Sequence, residues 1–181
     1  MSDRFFIITG GPGSGKSTLI DALEKSGCSR TVEAGRGVIQ DQMAIGGHAL
    51  PWQDRLLFAH LMLSWEMRSH HIAQFVKGRV FFDRGVPDVL GYLKLIGEPI
   101  TELMQKAAVT FRYNRRVFIA PPWKEIFQQD AERKQDFDEA LRTSGAMVAI
   151  YTELGYELVE LPRASIEERV GFVLSRSGGA G

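Results

Sequence analysis

The chain has little cysteine and no surplus of charge. Cys28 is the single cysteine among 181 residues, so an intrachain disulfide is excluded and a reducing compartment is expected. Lys and Arg together number 22, as do Asp and Glu, which makes the formal net charge zero. General binders of nucleic-acid polymers or anionic membranes need a basic excess. The composition therefore argues against both classes of partner, although it leaves room for a local anion site.

Long hydrophobic runs are also missing. No segment approaches the roughly 20 apolar residues of a membrane span. The apolar run near the N-terminus breaks at Gly10 and Gly11, before it reaches the length of a signal peptide. We therefore expect a cytoplasmic protein. Hydrophobic residues make up 44% and charged residues 24%, which is typical of a globular domain. We expect one domain over residues 1–176 and a flexible tail at 177–181.

Short apolar segments alternate with longer helical patterns along the whole chain. Strands are predicted at residues 5–9, 29–33, 80–82, 117–120 and 157–161. Helices are predicted at residues 15–25, 51–76, 86–95, 100–110, 137–154 and 165–174. Pro51 is expected in the first turn of the second helix, and a capping box from Ser165 to Glu168 is expected to open the last one. This alternation predicts an α/β fold, in which a five-stranded parallel sheet lies between two layers of helices and binds ligands at the carboxyl ends of its strands.

A glycine-rich segment that matches a phosphate-binding loop follows the first strand. Residues 10–17 fit the pattern G-x-x-x-x-G-K-[ST] without a mismatch, between a predicted strand and a predicted helix. Glycines let backbone amides turn inward around phosphate oxygens, and the new helix adds its positive end. Lys16 is expected to face solvent and follow the β- and γ-phosphates, Ser17 to take a Mg²⁺ position, and Thr18 to lie near the α-phosphate. The predicted nucleotide-binding residues of this segment are Gly11, Pro12, Gly13, Ser14, Gly15, Lys16, Ser17 and Thr18.

The third predicted strand ends in Asp83, which directly precedes Arg84. An apolar strand that ends in aspartate beside a phosphate-binding loop indicates a residue that holds Mg²⁺ or polarises the acceptor. Because a helical pattern follows, the same carboxylate has an alternative role as a helix N-cap. Asp88 is expected on the surface of that helix.

In order and spacing, nearly the whole chain resembles the single-domain P-loop kinases of the nucleoside and nucleotide kinase group. The resemblance is to deoxynucleoside, thymidylate and nicotinamide riboside kinases, and to small bacterial proteins described as AAA-type ATPases. It implies a P-loop NTPase fold with a short lid, ATP and Mg²⁺ as cofactors, and a small-molecule acceptor. Dimers are common among such proteins, so a homodimer is one expected assembly.

The resemblance also implies roles for residues that follow the second and third strands. Glu33 stands where these kinases carry an acidic residue that accepts the proton of the acceptor hydroxyl or orients this hydroxyl. Arg36 would hold an anionic or hydroxyl-bearing group of the substrate, and Arg84 would lie near the transferring phosphate. The alternative for Glu33 and Arg36 is a structural ion pair at a strand end.

A lid over the phosphates is implied at about residues 121–136. There Glu132-Arg133 resembles the Glu-Arg pair of kinase lids, and Arg133 would neutralise charge during transfer. The alternative is a solvated charged turn. Arg163, in the loop after the fifth strand, would lie near the adenine ring.

The acceptor pocket is expected between the helices that follow the second and third strands. Candidates to line it, or else to belong to the core, are Trp52, Gln53, Phe58, Met62 and Trp65. Arg112, Arg115 and Arg116 are expected on the surface, away from the site. No histidine is predicted to be catalytic, and Cys28 is predicted to be inert.

Two functions remain open from the sequence. The first is transfer of the ATP γ-phosphate to a small acceptor, which is a nucleoside, a nucleotide, a riboside or another metabolite. The second is a nucleotide-dependent ATPase or switch whose output is a contact with a partner. An AAA machine needs a longer module and an Asp-Glu pair at the end of the third strand, whereas Asp83 is followed by Arg84.

Overall fold

The computed structural model describes residues 3–127 and 136–178 and contains one parallel sheet. Its five strands lie in the order β2-β3-β1-β4-β5. Their bounds are Phe5–Gly10 (β1), Ser29–Arg30 (β2), Val80–Asp83 (β3), Arg116–Ala120 (β4) and Glu157–Glu160 (β5). In the central strand, Ile8 pairs with Asp83 on one side and with Phe118 on the other. The ends of β1 and β3 therefore meet at the glycine-rich loop, and the predicted α/β fold class is confirmed.

The described residues also form seven α-helices. Their bounds are Lys16–Lys25 (α1), Ala34–Ile45 (α2), Arg55–Ala73 (α3), Val86–Ile96 (α4), Glu102–Thr110 (α5), Phe137–Glu153 (α6) and Ile166–Ser177 (α7). A short 3₁₀ turn spans Lys124–Ile126. None of these helices has both the length and the apolar character that crossing a membrane requires.

Helices cover both faces of the sheet because β1 is apolar on both sides. Phe5 and Ile7 point into the larger hydrophobic cluster, which includes side chains of α2 to α6. Phe6 and Ile8 point into the smaller cluster with α1 and α7. The larger cluster leaves a deep cavity between its helices, and that cavity becomes part of the site.

The second strand is shorter than predicted. It ends at Arg30, and the predicted strand residue Glu33 is instead the N-cap of α2, a helix that the sequence pattern did not predict. Two glycines near the start of α2 lower its helix propensity, which explains why the sequence pattern did not predict this helix. Gly37 is needed there because a Cβ atom at this position would lie 2.5 Å from the Trp65 ring.

The third helix begins later than predicted. Its N-cap is Asp54, whose carboxylate accepts a hydrogen bond from the Leu57 amide at 2.9 Å. Pro51 lies in the turn before the helix, so its predicted place in the first helical turn is wrong. By contrast, the capping box predicted for α7 is present, since Ser165 and Glu168 bind each other's backbone amides.

Candidate active site

The glycine-rich loop joins β1 to α1 and folds over its own lysine. Gly15, with a positive φ of 74°, caps the helix, and Lys16 is its first residue. Lys16 Nζ donates to the Gly11 carbonyl at 2.6 Å and lies 3.3 Å from Ser14 Oγ. The residue is only 7% exposed, so the expectation that it faces solvent is wrong. The lysine must leave this contact to follow a phosphate, whereas Ser17 and Thr18 are exposed.

Arg169, on α7, binds the loop through its guanidinium and was not among the predicted site residues. Its Nη2 donates to the Ser14 carbonyl at 3.3 Å and its Nη1 to the Gly15 carbonyl at 3.4 Å. The residue is 3% exposed, and burial lowers the pKa of its guanidinium. The one signal in the sequence was its position four residues before the buried Val173, on the inward face of a helix.

A cavity of about 510 Å³ opens above the loop. Its walls are residues 12–18 of the loop together with Glu33, Arg36, Arg84, Trp123, Ile126, Phe127, Ala164, Ile166 and Arg169. Arg163, predicted to lie near adenine, does not line this cavity. It is exposed, and its Nη2 donates to the Pro122 carbonyl at 3.1 Å.

A second and larger cavity, of about 980 Å³, lies between α2, α3, α4 and α6. Three of the predicted pocket residues line it, namely Trp52, Phe58 and Met62. Gln53 and Trp65 do not, and the Trp65 ring packs on α2 instead. Its walls are mainly apolar and include Ile39, Val89, Leu95, Ile96 and Met147.

The two cavities share three residues, Pro12, Glu33 and Arg84. Arg84 Nε donates to Glu33 Oε1 at 3.3 Å, and Arg36 Nε lies 3.8 Å from Glu33 Oε2. Glu33 is 9% exposed. The structure therefore brings the sequence-predicted residues Glu33, Arg36 and Arg84 together at the junction of the two cavities.

Arg84 is held in an unusual conformation at this junction. Its φ of 72° lies in the left-handed region, which non-glycine residues rarely adopt. Burial alone would lower the pKa of its guanidinium, but the carboxylates of Glu33, Asp88 and Asp83 outweigh burial and raise it. Arg84 is therefore a fixed positive charge. Strained backbone of this kind persists where the surrounding contacts over-determine it, often at functional sites.

Asp88 is buried, so the prediction that it lies on the helix surface is wrong. Its carboxylate accepts hydrogen bonds from Arg84 Nη1 at 3.4 Å, from the Gly85 amide at 3.0 Å, and from the hydroxyls of Thr9 and Tyr151. Through the Gly85 amide, Asp88 caps α4. The alternative role of Asp83 as the N-cap of this helix is therefore wrong, since the N-cap is Gly85.

Asp83 lies at the end of β3 and is 5% exposed. Burial and the nearby Glu33 raise the pKa of its carboxyl to about 6, against the opposite effect of Lys16 and Arg84. Its Oδ1 is buried with no hydrogen-bond partner among the described residues. An unpaired carboxylate oxygen beside a phosphate-binding loop fits a Mg²⁺ ion, which prefers oxygen ligands. The described residues contain no cluster of three or more His, Cys, Asp or Glu side chains that could hold a metal ion on their own.

Residues 5–169 match the protein family described as AAA domain. The chain belongs to this family. None of the curated proteins matches the chain in sequence.

The solved structures with a similar fold include two kinases and the NadR protein. Deoxyadenosine kinase from M. mycoides, with products dCMP and a flexible dCDP bound, superposes with a TM-score of 0.62 at 12% identity, over 95% of this chain and 97% of that one. Thymidylate kinase from Ehrlichia chaffeensis gives 0.60 at 17% identity, over 97% and 98%. The NadR protein in complex with NR gives 0.71 at 17% identity, over 98% of this chain but only 51% of NadR. These likenesses establish the fold, which is that of P-loop NTPases of the nucleoside and nucleotide kinase type.

The predicted lid lies partly outside the described residues. Glu132 and Arg133 belong to the part that the structure does not describe, whereas Pro121 and Phe127 are seen at its start. The Phe127 ring lies 5.5 Å from that of Phe137, centroid to centroid. Of the three arginines expected on the surface, Arg115 is exposed, whereas Arg112 and Arg116 are partly buried. Arg112 Nη1 donates to the Leu154 carbonyl at 3.1 Å. The His70 ring packs among the rings of Phe5, Phe111 and Tyr113.

Proposed function

We propose that the protein is an ATP-dependent phosphotransferase that moves the γ-phosphate of ATP to a small riboside- or nucleotide-like acceptor. One observation carries this proposal. Two separate cavities, one over the phosphate-binding loop and one between α2, α3, α4 and α6, meet at Glu33 and Arg84. A hydrolase needs room only for the nucleotide and water, whereas a transferase needs a second compartment whose end opens onto the phosphate.

The loop side of the site would hold the nucleotide. Backbone N–H groups of Gly11 and residues 13–16 and the positive end of α1 suit the phosphates, and Lys16 would exchange its bond to the Gly11 carbonyl for the β- and γ-phosphates. Ser17 and Asp83 would hold Mg²⁺, which neutralises phosphate charge when bound. Arg163 remains a weaker candidate for the adenine, and Arg133 remains the proposed source of positive charge from the lid.

Glu33 would act on the acceptor. Its carboxylate takes the proton of the acceptor hydroxyl as the hydroxyl oxygen attacks the γ-phosphorus. A new O–P bond forms, the bond from the γ-phosphorus to the bridging oxygen breaks, and ADP leaves with that oxygen. Arg84 stabilises the charge that builds on the phosphoryl oxygens, with Arg36 orienting a polar group nearby.

The names of the structurally similar proteins support an acceptor of this class. Two are kinases of a deoxynucleoside and of a thymidylate, and the third was solved with NR. The proposed setting is the cytoplasm, where ATP is available and Cys28 stays reduced. The family description, AAA domain, favours the second candidate, an ATPase or switch whose output is a partner contact.

A panel assay tests the proposal. Nucleosides, their monophosphates and vitamin-like ribosides are each incubated with ATP and Mg²⁺, and ADP release is compared with an acceptor-free blank. We expect at least one acceptor to raise ADP release about tenfold or more above the blank, with a phosphorylated product in equal amount. Steady ATP consumption that no acceptor stimulates would favour the ATPase instead.

Lys16→Ala serves as the matched control for that assay. This variant is expected to remain folded, to lose the thermal stabilisation that ATP and Mg²⁺ give the parent protein, and to release no ADP above background. Equal stabilisation of variant and parent would show that the loop does not bind the nucleotide.

A further inference from the structure

Three oxygen atoms without hydrogen-bond partners among the described residues belong to side chains that line the larger cavity. They are Glu66 Oε2 on α3, the Tyr92 hydroxyl on α4 and Thr143 Oγ1 on α6. Buried polar atoms in folded proteins are nearly always paired, so exceptions need a reason. Three exceptions among the side chains that line one mainly apolar cavity point to a ligand with a polar edge.

Glu66 is the least expected of the three. It is 2% exposed on a helix that otherwise presents Phe58, Met62 and Leu63 to the core. Burial, followed by the negative charges of Asp88 and Asp83, raises the pKa of its carboxyl well above the ordinary value. Burial therefore favours the protonated form of this carboxyl, which offers one hydrogen-bond donor and one acceptor side by side.

The charges around the cavity disfavour a negatively charged occupant. Glu33 and Asp88 both line it, and Arg84 is already engaged by both carboxylates. The other two arginines in its lining, Arg55 and Arg142, are exposed. A second anionic group, brought into this cavity beside the γ-phosphate that we place on Arg84, would meet these carboxylates, and the described lining residues include no other buried cation to offset them.

We propose that Glu66 determines the specificity of the acceptor cavity, where its buried carboxyl hydrogen-bonds the polar edge of an acceptor that carries no negative charge. The flat body of that acceptor lies among the apolar walls, with Phe58 and Met62 on one side. The hydroxyls of Tyr92 and Thr143 bind further polar atoms, and the acceptor hydroxyl points toward Glu33. The protein would then act on a riboside and reject the corresponding monophosphate. This inference rests on the proposed function, because it assigns the larger cavity to the acceptor.

Matched pairs of probes test it by calorimetry without ATP. Adenosine, uridine and nicotinamide riboside are each compared with their own 5′-monophosphate on the full chain. We expect at least one riboside to bind about tenfold or more tightly than its monophosphate. Glu66→Gln, which keeps a donor and an acceptor, should weaken that riboside only a few-fold. Glu66→Leu, which leaves the polar edge unpaired, should weaken it about 10- to 100-fold.

Two further variants keep the test decisive. Glu153→Gln changes a carboxyl that is 59% exposed on α6, outside the cavity, and should bind the probes as the parent does. Tyr92→Phe keeps the ring and removes only the hydroxyl, so it should weaken the same riboside even if Glu66→Leu fails to fold. Monophosphates that bind as tightly as ribosides, full binding by Glu66→Leu and Tyr92→Phe, or no binding by any probe would each overturn the proposal.

The two proposals fail differently. A riboside whose binding depends on Glu66 but which is never phosphorylated would overturn the kinase function and keep the specificity assignment. Phosphorylation of a monophosphate in preference to its riboside would keep the kinase function and overturn the role of Glu66.

Discussion

Asp88 Oδ1 accepts a hydrogen bond at 3.4 Å from Nη1 of Arg84, which lies four residues earlier in the chain. This contact anchors the Arg84 guanidinium at the junction of the two cavities. The same carboxylate binds three further donors, which come from β1, from Gly85 at the start of α4 and from α6. The position of Arg84 relative to the phosphate-binding loop is thus tied to the packing of three elements. A residue that was expected to be a surface aspartate positions the residue that we place on the transferring phosphate.

Asp88→Asn tests this positioning role. An asparagine would point an NH₂ group at donors that now face a carboxylate, so the free energy of unfolding should fall by about 2–4 kcal/mol. Turnover should also fall, because Arg84 loses a partner, and the loss should be in kcat more than in KM. Urea denaturation and steady-state kinetics measure the two effects.

Two control variants give the changes in unfolding free energy against which Asp88→Asn is compared. Tyr151→Phe removes one of the four donors and should destabilise the protein by about 1 kcal/mol. Glu153→Gln breaks the exposed pair with Lys94 and should change stability by less than about 1 kcal/mol. If Asp88→Asn is no more destabilising than Glu153→Gln, the network does not hold Arg84.

Glu66 predicts a pH dependence of stability. Its folded-state pKa is raised above the ordinary value of 4.5. Above that value the unfolded chain releases the proton while the folded chain keeps it, so the free energy of unfolding falls as pH rises. The glutamine of Glu66→Gln does not titrate, so this variant does not lose stability in the same way. Its free energy of unfolding relative to the parent should therefore increase between about pH 5 and about pH 7. Urea denaturation at both pH values measures the difference. A constant difference would mean that the Glu66 carboxyl titrates normally.

The sequence predicted those parts of the site whose residues are neighbours in the chain. The loop at residues 10–17 and the strand that ends in Asp83 are local patterns, and both lie at the predicted edge of the sheet. Glu33 and Arg84 are 51 residues apart, yet their meeting follows from β2 and β3 being neighbours. The resemblance to nucleoside kinases supplied that adjacency, which no local periodicity contains.

The rest of the site depends on packing that the sequence does not display. Arg169 and Glu66 lie on helices that are distant from the loop in the sequence, and only the tertiary fold brings them to the two cavities. Asp88 looked like a surface residue because one turn of helix cannot show which side the sheet covers. The glycines of α2 concealed a helix that close packing against Trp65 requires.

Asp83→Asn is expected to affect the use of metal more than the affinity for nucleotide. The loop still holds the phosphates, but one negative oxygen is lost from the proposed Mg²⁺ site. Turnover should fall about 100-fold or more and recover in part at raised Mg²⁺. A Mg²⁺ titration of the rate, beside metal-free binding of a fluorescent ATP analogue, separates the two. Unchanged turnover would leave Asp83 without a catalytic role.

Glu33→Gln separates transfer from hydrolysis. Glutamine keeps the shape of the side chain and an oxygen for Arg84, but it cannot take a proton. Loss of a general base typically costs about 10²- to 10⁴-fold in rate. If Glu33 touches the acceptor hydroxyl, this loss should appear only in acceptor-stimulated turnover, while ATP binding and the slow acceptor-free ATPase stay near the parent values. Loss of basal hydrolysis as well would mean that Glu33 orients water, which favours the ATPase. If neither rate changes, Glu33 is only the partner of two arginines, and the junction of the cavities needs another base.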